Sequence, residues 1–173
     1  MSEPANDAKL AELILYVSDR CADDPRFGAT KLNKILFYAD FIAYGKLGKP
    51  ITGQAYQKLK FGPAPRRLMP VRDGLIAASE LAIQSKDHFG KGQKRTVALR
   101  EANLSQFSGD EIAIVEDMIK AFWDANATEA SEASHRTCAW KYADEGEDIP
   151  YESVFLSDRP LTERELAHAV TLA

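Results

Sequence analysis

Cysteine is scarce in this 173-residue chain: Cys21 and Cys138 lie far apart and belong to no C-x-x-C spacing. They read as reduced, partly buried thiols rather than as a disulfide framework. No stretch approaches the ~18 uninterrupted apolar residues of a membrane span, so no membrane partner is expected. The start, Met1-Ser2-Glu3-Pro4-Ala5-Asn6-Asp7, is polar and acidic and lacks the basic-then-apolar order of a secretory signal. The expected location is cytoplasmic. Neither G-x-x-x-x-G-K-[ST] nor G-x-G-x-x-G occurs, which removes the two common phosphate-cradling loops. The three histidines, His88, His135 and His168, stand in unrelated settings. His135 and Cys138 are two ligands where a zinc site needs four. Ser134-His135 has no third member and no oxyanion device. The expectation is a non-enzyme with no catalytic residues, no metal and no cofactor.

What is present suits one domain with a real core: 45% of residues are hydrophobic and 28% charged. The net charge of −4 conceals a division, since residues 31–100 hold 14 Lys and Arg against 4 Asp and Glu, and the rest hold 8 against 22. Two readings stay open. The basic middle presents a positive patch to an acidic partner or nucleic acid, or the acidic flanks neutralise it within the fold.

Leu10, Leu13, Ile14 and Val17 follow helical spacing, which predicts a helix over about 7–21 ended at Pro25. The strongest apolar run, Leu32 to Tyr44, predicts a central helix with Thr30 as N-cap. Residues 55–61 read as extended, and Gly62-Pro63-Ala64-Pro65 as a rigid bend. The next helix must tolerate Pro70, so it is either short before Pro70 or starts close to it. Leu81–Ser85 and Thr96–Leu99 read as a hairpin with a basic tip, Gly90-Lys91-Gly92-Gln93-Lys94-Arg95. Ser108 and Glu111 form a capping box for a helix running to about Trp123. A shorter helix starts at Thr128, residues 138–156 are irregular, and Thr162 with Glu165 caps a last helix. The fold class is therefore mainly α (α+β), compact, with a small β-hairpin in a winged-helix-like order.

Three blocks carry a further signal: Lys31-Leu32-Asn33-Lys34-Ile35-Leu36-Phe37-Tyr38-Ala39-Asp40, then Gly48-Lys49-Pro50-Ile51-Thr52-Gly53, then Phe61-Gly62-Pro63-Ala64-Pro65. With Ser134-His135-Arg136, Trp140 and Ile149-Pro150-Tyr151, in this order and spacing, the chain resembles the Panacea domain, the SocA-like antitoxin domain. Pro70 departs from that pattern, and residues 160–173 fall outside it. The resemblance covers a single Panacea-like domain over 8–156; residues 1–7 are expected to be a disordered N-terminus and 157–173 a C-terminal helical extension. The resemblance implies an antitoxin of a bacterial or phage (prophage) toxin–antitoxin system, neutralising a cognate protein toxin by direct binding. The SocA-like type further implies a proteolytic adaptor, with a cellular protease as second partner. The alternative is a winged-helix-like regulator of operator DNA.

Candidate partner-binding residues are the cations Lys31, Lys34, Lys58, Lys60, Arg66, Arg67, Lys91, Lys94 and Arg95. Leu32, Leu36, Tyr38, Asp40, Gly62, Pro63, His135 and Trp140 are the structural residues of the family motif. Lys31 and Lys34 fall in a first helical turn, where positive charge opposes the macrodipole and calls for a compensating carboxylate. Asp40 is expected to serve a basic residue elsewhere, and the His135 ring to fix the loop that carries Trp140.

Overall fold

The computed structural model describes residues 5–88 and 90–156. Asn6 opens the first helix, α1 (Asp7–Arg20), by accepting a 2.9 Å hydrogen bond from the Lys9 amide, which satisfies one of the orphan donors of the first turn. Burial of Leu10, Leu13, Ile14, Leu15 and Val17 turns this helix toward α2 (Ala29–Leu47). Leu32, Ile35, Leu36, Phe37, Ala39, Phe41 and Ala43 of α2 are all buried, so the helix is covered on most sides, as a helix apolar nearly all round must be. Its cap is Gly28, not Thr30, and no side chain bonds the first-turn amides. Gly48, at φ 77°, closes it in the left-handed conformation that glycine adopts without strain.

The motif Gly62-Pro63-Ala64-Pro65 is not a bend. It forms β2 (Gly62–Pro65), paired antiparallel with β1 (Tyr56–Leu59), Tyr56 facing Pro65 and Leu59 facing Gly62. Two prolines leave β2 without two amide donors, so this sheet stays two-stranded. The helix α3 (Leu68–Ala77) follows, with Pro70 in its first turn, where the missing N–H costs nothing. A second hairpin joins β3 (Leu81–His88) to β4 (Lys91–Ala98). It is longer than expected, and residues read as a basic tip are strand.

The capping box of Ser108 and Glu111 opens α4 (Gly109–Phe122). A second box, Asn126 with Glu129, opens α5 (Ala127–His135) one residue ahead of the expected Thr128. Residues 138–156 are partly regular: α6 (Cys138–Tyr142) and a 3-10 turn at Tyr151–Phe155 lie within them. The architecture is a mainly helical α+β domain in which α1, α4, α5, both hairpins and the 3-10 turn pack around α2. Among the described residues, no helix is long and apolar enough to cross a membrane. The helical extension expected over 157–173 lies outside the described residues.

Candidate partner-binding site

Among the described residues Asp40 ends no ion pair, where a basic partner was expected. Fully buried on α2, it accepts hydrogen bonds from the Thr52 amide (2.7 Å), the Thr52 hydroxyl and the Tyr56 hydroxyl (2.6 Å). Burial pushes its carboxyl above the usual range, and these donors oppose the shift. The effect is a clasp. One carboxylate fastens the Pro50–Gly53 loop and the start of β1 to α2, using donors that a buried polar group requires. Tyr56 also donates to the Leu36 carbonyl (2.9 Å) and meets Phe37 and Phe41 edge-on at 5.6 Å.

A second cluster lies one and a half turns earlier on α2. The Lys34 amine is buried and donates to the Phe61 carbonyl at 2.7 Å. The Ser131 hydroxyl of α5 donates to the same carbonyl at 2.9 Å. Gly62 stands at φ 114°, and a Cβ there would fall on the Lys34 nitrogen and approach the Ser134 hydroxyl oxygen at 2.7 Å. Glycine is therefore required twice over, for conformation and for space. One turn along α5 from Ser131, His135 stacks on Trp140 with centroids 4.1 Å apart. The Lys58 ammonium lies 4.6 Å over that indole and donates to the Trp140 and Ala143 carbonyls at 2.8 Å. Burial, then the neighbouring Lys34 and Lys58 cations, hold the His135 imidazole below its usual value. Residues of three separated sequence blocks, Lys34, Phe61-Gly62 and Ser134, thus meet at the turn between β1 and β2.

Burial lowers the Lys34 amine from 10.5 to about 7. The folded chain therefore releases this proton near neutrality, while the unfolded chain keeps it to 10.5. More protons are bound by the unfolded state between those values, so stability rises with pH across that window and the destabilising contribution is complete below it. Replacing Lys34 with Met should flatten the rise between pH 7 and pH 9 in denaturant titrations, checked against the wild type at both pH values. An unchanged slope would remove Lys34 as its source.

Three of the expected contact cations are interior. Lys31 is 1% exposed and pairs with Asp24 at 2.6 Å while donating to the Trp123 carbonyl at 2.9 Å. The compensating carboxylate is thus internal. Lys34 is buried as described, and Arg95 is 4% exposed. Arg95 turns inward because α1 ends above it: its guanidinium donates to the Cys21, Ala22 and Asp24 carbonyls just past the helix. Two of these carbonyls also accept backbone amides, Cys21 from Asp24 and Asp24 from Phe27, both at 3.1 Å.

The remaining cations lie on the surface or half-covered. Lys58 is half-buried in the Trp140 cluster, and Lys60 is exposed with its amine 5.6 Å from the Phe61 ring centroid. Arg66 pairs with Asp148, and Arg67 with Asp7 at 2.8 Å. Lys94 is exposed; the Lys91 side chain lies outside the described residues. Arg100 adds pairs with Glu12 (2.8 Å) and Glu80 (3.0 Å). Acidic flanks therefore pair with Lys31, Arg66, Arg67 and Arg100 of the basic middle.

One feature of the turn has no counterpart among the expected residues. Phe61 is 67% exposed although its carbonyl is held from beneath by two side chains. Leu59 is 39% exposed beside it, and Tyr142 of α6 is 73% exposed. The block Phe61-Gly62-Pro63 carried the signal, but without the hairpin nothing distinguished a displayed Phe61 from a core one. Among the described residues, no three His, Cys, Asp or Glu side chains gather as a metal cluster would.

The family model for the antitoxin SocA-like, Panacea domain matches residues 32–141, and the chain is a member of that family. No curated protein and no solved structure matches it. Membership points to an antitoxin role without catalysis.

Proposed function

We propose that this protein is the antitoxin of a toxin–antitoxin pair, that it acts in the cytoplasm, and that it neutralises its toxin by direct binding through the Leu59–Phe61 turn. The observation that carries the proposal is Phe61: an aromatic ring two-thirds exposed on a backbone fixed by Lys34 and Ser131. Rigid aromatic side chains contribute contact area at small entropic cost and dominate many interfaces. Lys60 beside it would draw an acidic toxin surface into register. Operator DNA has less support, since Arg66 and Arg67 engage carboxylates and Arg95 engages buried carbonyls.

Co-expression with the product of the adjacent reading frame should restore growth that the product alone arrests, and the two proteins should co-purify. A harmless neighbour that shows no binding would contradict the proposal. Repeating the rescue in protease-deficient cells separates stoichiometric neutralisation, which persists, from adaptor-driven degradation, which does not.

A further inference from the structure

Two side chains hold the Leu59–Phe61 turn from beneath, both through the Phe61 carbonyl oxygen, and both lead to titratable groups. Lys34 of α2 donates to that oxygen at 2.7 Å. Ser131 of α5 donates at 2.9 Å and lies 3.4 Å from the His135 Nε2. The Lys34 amine sits directly under Gly62, where not even a Cβ would fit. No salt bridge among the described residues includes Lys34 or His135. Around His135 stand the cations Lys34 and Lys58 and one carboxylate, Glu132. Tyr38, one turn further along α2, donates its hydroxyl to the Ala133 carbonyl and stays neutral, with Arg136 near it. A proton added under the turn is therefore a charge with little to balance it, and burying such a charge is costly.

Lifting the turn hydrates both groups at the least cost. α2 lies in the core, whereas Phe61 is exposed and the turn closes a hairpin of 4-residue strands. Segments with few buried contacts open ahead of the rest of a fold. We propose that the Leu59–Phe61 turn is an acid-released latch, freed from α2 and α5 when Lys34 and His135 take up protons. A toxin held at Phe61 would be released with it, a consequence that rests on the binding role proposed above.

The sign follows from linkage. Opening returns the Lys34 amine from about 7 to 10.5, so opening takes up a proton between those values and grows as pH falls toward 7. His135, held below 6.5 in the closed turn, adds a second proton only below that value. Hydrogen exchange on the full chain without toxin, corrected for intrinsic rates, measures the opening of residues 59–64. Opening should rise about tenfold per unit from pH 9 to pH 7, level off, and rise again below 6.5. Lys34→Met should abolish the first rise and His135→Phe the second. His135→Phe keeps a ring against Trp140, so it tests the latch even where Lys34→Met does not fold. Opening that ignores pH in the wild type, or a first rise unchanged in a folded Lys34→Met, would overturn the latch. Opening of residues 59–64 no more frequent than that of α4 would also overturn it, because the event would then be global unfolding. With toxin absent, failure of the latch and failure of the binding site are separate results.

Discussion

Replacing Asp24 with Ala should lower the unfolding free energy by about 3–5 kcal/mol, since breaking a buried ion pair leaves an uncompensated charge behind. The stranded charge would be Lys31, 1% exposed and held by the Asp24 carboxylate at 2.6 Å. Asp24 does more than neutralise: its side chain also accepts from the Arg26 amide at 2.9 Å, and its carbonyl receives Arg95. Lys31 in turn donates to Trp123 at the end of α4. The pair therefore joins the α1–α2 loop, α2 and α4. For a domain of this size the loss corresponds to a melting temperature roughly 6–20 °C lower. Replacing Lys31 with Met in the Asp24→Ala background removes the stranded charge and should recover much of the loss. A single variant that melts like the wild type would show that the interior tolerates an unpaired Lys31.

Leu36→Ala should cost about 2–5 kcal/mol, the range for truncating a large aliphatic side chain in a packed core. Leu36 is fully buried on α2, and its carbonyl receives the Tyr56 hydroxyl at 2.9 Å. A cavity there would loosen the helix on which both the Asp40 clasp and the Lys34 brace stand. Neutralisation of a toxin should fall in step with folded fraction, read by thermal melts beside growth assays. Full stability in this variant would mean that the core around α2 collapses into the space.

Periodicity and caps made much of this fold legible. The i, i+3, i+4 pattern gives α1, the all-round apolar run gives α2 its central place, and the Ser108–Glu111 box marks the start of α4. Less legible were features set by distant contacts. Two prolines argued against a strand at Gly62–Pro65, yet β1 supplies a partner and α2 a surface to cover it. Arg95 reads as a surface cation until β4 is seen passing beneath the carbonyl end of α1. Asp24 lies seven residues before Lys31 but in the loop ahead of α2, where helical spacing does not apply. The candidate site follows the same rule. The motif blocks named the residues, but their convergence on the Phe61 carbonyl depends on α5 returning to α2.

The direct test of that site is the affinity of purified protein for its toxin, measured by calorimetry for the wild type and for Phe61→Ala. Truncating an exposed anchor should leave stability within about ±0.5 kcal/mol, so melting serves as the control. A central aromatic contact is worth about 2 kcal/mol or more, so Kd should rise by roughly thirtyfold or more while the melting temperature holds. An unchanged Kd with unchanged melting would place the toxin on another face and contradict the account.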